Sequence, residues 1–379
     1  MCGEIGREGL VVKKVYVDLG SRSYDILIEA GLTKQLSNFF DERELRKRIF
    51  LVSNDSIFKL IGENLLDNLQ DNGYEVSEIL IPDGEKYKNL ETVENIYSCL
   101  VDQRADRTSM LVALGGGVIG DITGFAAATF LRGISYVQIP TTLLAQVDSS
   151  VGGKTGVNYG WGKNMIGSFY QPHLVCIDPE SLSTLPQREL QSGLYEVVKY
   201  GLIYDQQFSK LVHNSLENIQ NRDPVVLESI IGRCCEIKSE IVSNDETETD
   251  LRRILNFGHT FGHALEAVAQ FQGITHGEAV GYGMIAATHL SVVEGYLDSS
   301  VADNIIRKIL QVGSLPSIHM FPTEDILEAM SRDKKRLGMQ NFFVLLKEVG
   351  KTIVIGNVSE KVLAEVWEET RRVGASFSL

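Results

Sequence analysis

Two histidines, His259 and His263, stand four residues apart in Asn256-Phe-Gly-His259-Thr-Phe-Gly-His263-Ala-Leu-Glu266, a spacing that puts both on one helical face. A third, His276, follows in Thr275-His276-Gly-Glu278, and Glu196 lies upstream in Leu194-Tyr-Glu196-Val-Val-Lys199. Imidazoles and a carboxylate are zinc-ligand types, and a catalytic zinc typically has three protein ligands and one open position. Spacing alone names His259 and His263 as ligands, with His276 or Glu196 as the third. The H-E-x-x-H protease arrangement is absent because Thr260 follows His259. His173, His213, His289 and His319 stand alone and read as ordinary structural histidines.

A second chemistry is suggested by Leu111-Val-Ala-Leu-Gly115-Gly116-Gly117-Val118-Ile119-Gly120-Asp121, which runs from an apolar strand into a helix. Gly115, Gly117 and Gly120 satisfy G-x-G-x-x-G in the strand–turn–helix context that gives the pattern meaning. Without Cβ atoms, backbone N–H groups at a helix N-terminus can approach a pyrophosphate closely. Glycines also permit tight strand–helix packing, and no acid stands about 20 residues downstream to hold a ribose. Another glycine-rich stretch, Asp148-Ser-Ser-Val-Gly152-Gly153-Lys154-Thr155, fails the P-loop pattern because Asp148 occupies the place of its first glycine. ATP hydrolysis is therefore disfavoured. Lys154 and Lys163, both in glycine-rich loops, still suit a phosphate or a carboxylate.

The elements that must carry these residues divide into two runs. Val11–Leu19 and Tyr24–Glu29 read as a hairpin, and Ile49–Ser53, Val76–Ile81, Met110–Leu114, Tyr136–Pro140 and Leu174–Asp178 as buried strands. Helical segments near 56–70, 90–104 and 119–131 separate several of them, which implies a largely parallel sheet with crossover helices. After Pro186 the pattern changes to helices at 187–203, 224–243, 252–270, 277–296 and 299–312, with a late hairpin, Phe342–Lys347 and Thr352–Ile355. The expected organisation is a Rossmann-like α/β dinucleotide-binding domain over residues 1–185. A mostly α-helical metal- and substrate-binding domain follows over 186–379.

Composition narrows the partners. The 379 residues hold 36 Lys plus Arg against 50 Asp plus Glu, a formal net charge of −14. That balance argues against nucleic acid or an anionic membrane surface, and it leaves room for a local cationic pocket. The longest apolar stretch, Met110 to Leu131, is broken by glycines and Asp121 and makes a poor membrane span. The N-terminus does not read as a signal peptide. Five cysteines without a C-x-x-C pair read as reduced thiols of a cytoplasmic protein.

Taken together, Gly115–Asp121, Pro140-Thr141-Thr142-Leu-Leu144, Val147–Ser150, Gly152–Thr155, Gly162–Gly167, Glu196–Lys199, Asn256–His259 and His276–Glu278 resemble the 3-dehydroquinate synthase family in order and spacing. The likeness runs from about Val15 to Ile355. It implies conversion of 3-deoxy-D-arabino-heptulosonate 7-phosphate to 3-dehydroquinate and phosphate, with NAD used catalytically and zinc or cobalt at the site. It implies a homodimer, a sugar-phosphate substrate, and no nucleic-acid or membrane partner.

Residue by residue, the resemblance assigns the metal to Glu196, His259 and His276, and moves His263 beside the substrate. NAD falls to Asp83, Gly84, Glu85, Lys86, Tyr87 and Lys88, to Gly115 through Asp121 (Gly116, Gly117, Val118, Ile119 and Gly120 included), to Thr141, Thr142, Lys154 and Lys163, and to Ser181, Leu182, Ser183 and Thr184. Glu85 would partly supply the missing ribose acid. Substrate positions are Asp148, Lys154, Asn164, Lys199, Lys238, Arg252, Asn256 and His263. Arg132 matches a residue that reaches the phosphate, from its own or a partner subunit, and Asp333-Lys334-Lys335 matches a late lysine pair. Cyclases that make valiolone-type or inosose rings alter the substrate positions, whereas Arg252, Asn256, His263 and Asp333-Lys-Lys stand here in the dehydroquinate-synthase form. A dehydrogenase of the glycerol type would share the architecture but release NADH.

Overall fold

A computed structural model describes residues 3–7, 10–160, 162–270, 272–337 and 342–376, with side chains described from 12 to 332 (161 and 271 apart) and from 342 to 373. In chain order the strands are β1 (Gly3–Arg7), β2 (Leu10–Val17), β3 (Tyr24–Ile28), β4 (Arg48–Ser53), β5 (Glu75–Leu80), β6 (Ser109–Gly115), β7 (Ser135–Pro140), β8 (Lys154–Tyr159), β9 (Gly162–Phe169), β10 (Leu174–Ile177), β11 (Phe342–Glu348) and β12 (Lys351–Gly356). The helices that matter here are α1 (Leu36–Glu42), α2 (Glu63–Asp71), α3 (Leu90–Asp102), α4 (Gly117–Thr129), α5 (Gln187–Ile203), α6 (Gln206–Asn214) and α7 (Pro224–Asn244). They continue with α8 (His259–Val268), α9 (His276–Val293), α10 (Ser299–Leu310), α11 (Thr323–Leu337) and α12 (Glu360–Ser376).

Two compact units result, one of Met1–Leu185 with Arg222–Thr247 and one of Pro186–Asn221 with Glu248–Leu379. Unit 1 is built on one sheet ordered β1-β2-β3-β10-β7-β6-β4-β5. The six strands from β3 to β5 run parallel, and β1 and β2 add an antiparallel edge. Alternate residues of each central strand serve opposite faces. Leu51, Val112 and Val137 pack under Leu36, Phe40, Leu65 and Leu69 of α1 and α2. Phe50, Leu111 and Tyr136 pack under Val93, Ile96, Ile119 and Ile122 of α3 and α4. Both faces are thus covered, which is why these strands read as continuous apolar runs.

The helix α7 belongs with this sheet: its buried stripe of Leu227, Ile231, Cys235 and Val242 packs on β2, β3 and the turn Ala145–Ser149. Periodicity identifies such a helix but not its partner, so the sequence grouped it with the helical run. Unit 2 surrounds α9, which packs against α5, α8, α10, α12 and the β11–β12 hairpin. Its core includes Phe261, Leu265, Tyr282, Leu290, Phe343 and the fully buried Trp367.

Two local expectations are corrected. The helix expected over 252–270 starts only at His259, because Gly258 turns the chain at φ 81° after a 3₁₀ turn, Leu251–Asn256. The glycine-rich segments around Lys154 and Lys163, expected as loops, form the antiparallel hairpin β8–β9. No helix among the described residues is long and apolar enough to cross a membrane.

Candidate functional site

In unit 2, α5 carries Glu196, α8 opens with His259 and α9 opens with His276. One ligand atom from each lies within 4.8 Å of the others. Glu196 Oε1 is 3.6 Å from both His259 Nε2 and His276 Nε2. A tetrahedral ion with ligands at about 2.1 Å separates them by about 3.4 Å, so the spacing fits a zinc-sized ion. Each histidine is also held by its other ring nitrogen. His259 Nδ1 lies 3.3 Å from Phe257 O and His276 Nδ1 lies 3.3 Å from Glu266 Oε2, so each Nδ1–H donates outward and each Nε2 is turned toward Glu196. This outer-shell tether is how metal-ligating histidines are usually oriented.

The electrostatics agree. Burial, with Lys199 nearby, drives His259 well below the ordinary histidine range and keeps it neutral. Burial also opposes charge on His276, but hydrogen bonds to Glu196 and Glu266 reverse this and push it up to about 10. A position between two buried carboxylates therefore demands positive charge, which a divalent cation supplies. Lys199, itself buried, forms an ion pair with Glu196.

Spacing offered His263 as a ligand beside His259. It does share the face of His259, with ring centroids 5.2 Å apart, yet its side chain is exposed. His263, Glu266 and His276 form a second possible cluster. Glu196, fully buried and 3.6 Å from His259 Nε2, favours the first. Sequence reasoning missed Glu266; its signal is its place one turn beyond His263 on the same helical face.

The His276-Gly-Glu278 triplet explains itself in the same geometry. Thr275 and Glu278 cap α9 reciprocally, Thr275 Oγ1 accepting from Glu278 N and Thr275 N–H donating to Glu278 Oε2 at 2.8 Å. Arg188 of α5 then forks onto the same carboxylate with two bonds of 2.7 Å. Gly277 donates its N–H to Ser192 Oγ at 3.0 Å, and a Cβ there would fall 1.9 Å from Ser192 O. Ser192 stands one turn before Glu196, so this contact fixes the height of His276 against its carboxylate.

In unit 1, the cofactor candidates gather at the carboxyl ends of the parallel strands: Asp83–Lys88 after β5, Gly115–Asp121 after β6, Thr141 and Thr142 after β7, and Ser181–Thr184 after β10. The chain leaves β4 toward β5 and leaves β6 toward β7, so the strand order reverses between β4 and β6, where open α/β sheets bind ligands. The glycine turn is close-packed as well: a Cβ on Gly117 would lie 2.9 Å from Ser149 Oγ, and one on Gly120 2.8 Å from Gln138 Oε1. No acidic residue occupies the first turn of α4, so its uncommitted N–H groups suit a pyrophosphate. Buried Gln146 ties two of these loops, its Nε2 lying within hydrogen-bond distance, 3.0–3.1 Å, of Pro140 O, Asp178 O and Ser181 Oγ. Lys88, also buried, donates to Asp121; burial lowers its pKa, and the charges of Asp121 and Glu85 outweigh that and raise it.

The substrate candidates divide between the units. In unit 1, Lys238 Nζ donates to both Asp148 O and Asp148 Oδ1 at 2.6 Å. Lys154 starts β8 and Lys163 is the second residue of β9, Asn164 follows it at φ 52°, and Arg132 is exposed at φ 67°. In unit 2, Arg252 is buried and Asn256 donates to Glu248 Oε1. Glu248, at φ 63°, is a second residue missed from sequence. The side chains of Asp333, Lys334 and Lys335 lie outside the described residues.

Comparison with known proteins sharpens the picture. A family model described as 3-dehydroquinate synthase N-terminal matches residues 78–192, and one described as 3-dehydroquinate synthase C-terminal matches 193–336. The chain is 45% identical to the 3-dehydroquinate synthase of Pelobacter propionicus over 350 residues, covering 92% of this chain and 97% of that protein. With the same enzyme of Syntrophotalea carbinolica identity is 48% over 346 residues, 90% and 95% of the two chains. Among solved structures it is similar to a 2-deoxy-scyllo-inosose synthase complexed with carbaglucose-6-phosphate, NAD⁺ and Co²⁺, at TM-score 0.86 and 28% identity over 94% and 99% of the chains. A 2-epi-5-epi-valiolone synthase from Streptomyces hygroscopicus with NAD⁺ and Zn²⁺ bound matches at 0.84 and 26%, over 92% and 97%. A glycerol dehydrogenase from Schizosaccharomyces pombe, 13% identical at TM-score 0.66 over 92% and 89%, shares the fold alone.

Proposed function

The chain belongs to the 3-dehydroquinate synthase family, and on that premise we propose how its residues divide the work of the reaction. The protein is a carbon–oxygen lyase of the shikimate pathway, which makes aromatic amino acid precursors. It converts 3-deoxy-D-arabino-heptulosonate 7-phosphate to 3-dehydroquinate and inorganic phosphate, using NAD and zinc or cobalt. The observation that carries the site assignment is Glu196 at 3.6 Å from the Nε2 atoms of His259 and His276. When bound, the metal supplies Lewis acidity at the substrate hydroxyls and NAD supplies a hydride acceptor that is restored within each cycle.

The chain's own residues bind, orient and neutralise. Phe257 O and Glu266 hold the ligand imidazoles in one tautomer. Lys199 offsets the buried charge of Glu196. Lys154, Lys238 and Arg132 of unit 1 and Arg252 of unit 2 are the cations assigned to the substrate's phosphate and carboxylate. Asp148 fixes the Lys238 ammonium from two sides, so its position is set before substrate arrives. Asn164, Asn256 and His263 orient the substrate hydroxyls. Residues 83–88, 115–121, 141–142 and 181–184, with Lys154 and Lys163, hold NAD.

The first 185 residues are its cofactor domain, with the metal ligands in the remainder. The working assembly is a homodimer in the cytoplasm, with no nucleic-acid or membrane partner. The four described cysteines form no disulfide with one another, which suits that compartment.

The test is phosphate release from the heptulosonate phosphate with NAD⁺ and zinc. Release with matching dehydroquinate, no accumulating NADH, and loss under chelator or without NAD⁺ is expected. No release from folded, metal-loaded protein would overturn the reading and turn attention to other sugar phosphates.

A further inference from the structure

The functional reading gives Glu85, Lys88 and Asp121 to the cofactor and Asn164 to the substrate. One residue outside both sets, Asn158, joins them. The β8–β9 pairing runs to Val157↔Ile166 and resumes at Tyr159↔Gly162, so Asn158 falls at the irregularity and is released from the ladder. Its N–H donates to Lys88 O at 2.8 Å, and its Nδ2 donates to Glu85 Oε1 at 2.9 Å. Its Oδ1 accepts the N–H of Asn164 at 2.9 Å.

Asn164 needs that hold. Its φ of 52° is left-handed, a conformation asparagine tolerates better than most residues but does not favour. Its side chain is held separately: Lys88 Nζ donates to Asn164 Oδ1 at 2.6 Å while pairing with Asp121. The backbone of Asn164 is thus fixed by Asn158 and its amide by Lys88. Both anchors are fastened to the 83–88 stretch.

Resting on the cofactor and substrate assignments above, we propose that Asn158 is a positioning residue that couples the two binding events. Ordering of the 83–88 stretch by NAD sets Asn164 in its left-handed, substrate-facing state, and substrate held by Asn164 favours the cofactor-ready stretch in return. Such coupling is reciprocal by thermodynamic necessity.

The experiment is an equilibrium titration of zinc-loaded protein with NAD⁺, without and with a saturating phosphonate isostere of the substrate that cannot eliminate phosphate. In the unaltered protein the isostere tightens NAD⁺ binding by at least about five-fold. In Asn158→Ala that ratio falls toward one, while the Kd for NAD⁺ alone moves less. Asn158→Asp keeps the acceptor for Asn164 but sets a second carboxylate against Glu85 in place of the donor, so the ratio falls toward one there too; it carries the test if the alanine variant fails to fold. A merely structural role would lower the melting temperature and leave the ratio unchanged, and that result overturns the proposal. A ratio of one in the unaltered protein overturns it too, with both ligands bound and the functional reading intact. Failure of the unaltered protein to bind either ligand would sink the functional reading and the coupling with it.

Discussion

The metal centre of unit 2 and the glycine turn of unit 1 both depend on glycines, but the glycines face different neighbours. Around the metal ligands they press on backbone: a Cβ on Gly277 would fall 1.9 Å from Ser192 O, and one on Gly283 1.8 Å from Gly258 O. Around the turn they press on the far ends of side chains, Ile119 Cδ1 at 2.3 Å from Gly115, Ser149 Oγ from Gly117 and Gln138 Oε1 from Gly120. Side-chain ends can rotate away, whereas backbone carbonyls in packed helices cannot. The metal centre therefore uses glycine to fix helix spacing, and with it the ligand separations. The turn uses glycine chiefly to let something outside the chain approach.

That contrast can be broken in order of expected effect. Loss of a metal ligand is the most severe. Glu196→Gln or His259→Ala should lower turnover by about 10³-fold or more, the scale of several kcal/mol of Lewis-acid stabilisation; assays with added zinc check this. Next, Gly277→Ala should cost about 3 kcal/mol of stability or more, since no rotamer relieves a backbone overlap. Gly117→Ala should cost under about 1 kcal/mol and instead weaken NAD⁺ binding by on the order of ten-fold, one displaced charge-assisted hydrogen bond. Calorimetry and NAD⁺ titration of the two variants would separate the roles, and equal stability losses would erase the contrast.

Smaller effects sharpen it. Arg252→Ala or Lys154→Ala should weaken substrate use by about 10- to 100-fold and leave NAD⁺ affinity largely intact. Unchanged kinetics in both variants would remove them from the phosphate and carboxylate cradle. Glu266→Gln should weaken zinc affinity by about 10-fold, at the low end of outer-shell losses, because the amide oxygen still accepts from His276 Nδ1. Glu266→Ala should lose more, read by competition against a chelator.

The two regions also differ in how far the sequence revealed them. Gly115–Asp121 was legible because strand, turn and helix are contiguous and each has its own pattern. The hairpin Lys154–Phe169 was not, since Lys-Thr-Gly-Val-Asn-Tyr and Gly-Lys-Asn-Met-Ile-Gly-Ser-Phe lack the apolar alternation that marks a half-buried strand. The helix α7 was legible as a helix but not as a cover for β2 and β3, because periodicity records a buried face without naming what buries it. At the metal centre, i, i+4 spacing offered His263 as readily as the structure offers Glu196. The two carboxylates that decide the matter, Glu196 and Glu266, lie on different helices. Only the family resemblance, which draws on residues far apart in the chain, chose Glu196 beforehand. Glu266 is marked in the sequence only by its helical spacing from His263 and Glu248 by nothing, and both became visible through the hydrogen bonds to His276 and Asn256.

The most direct measurement is the metal content of four purified variants, Glu196→Gln, His259→Ala, His276→Ala and His263→Ala, each equilibrated with zinc and desalted. The ligand assignment predicts that the first three lose bound zinc and that His263→Ala retains about one ion per chain, as a single three-ligand site requires. Loss of zinc from His263→Ala, with retention by Glu196→Gln, would move the ion to the His263–Glu266–His276 cluster and contradict the account.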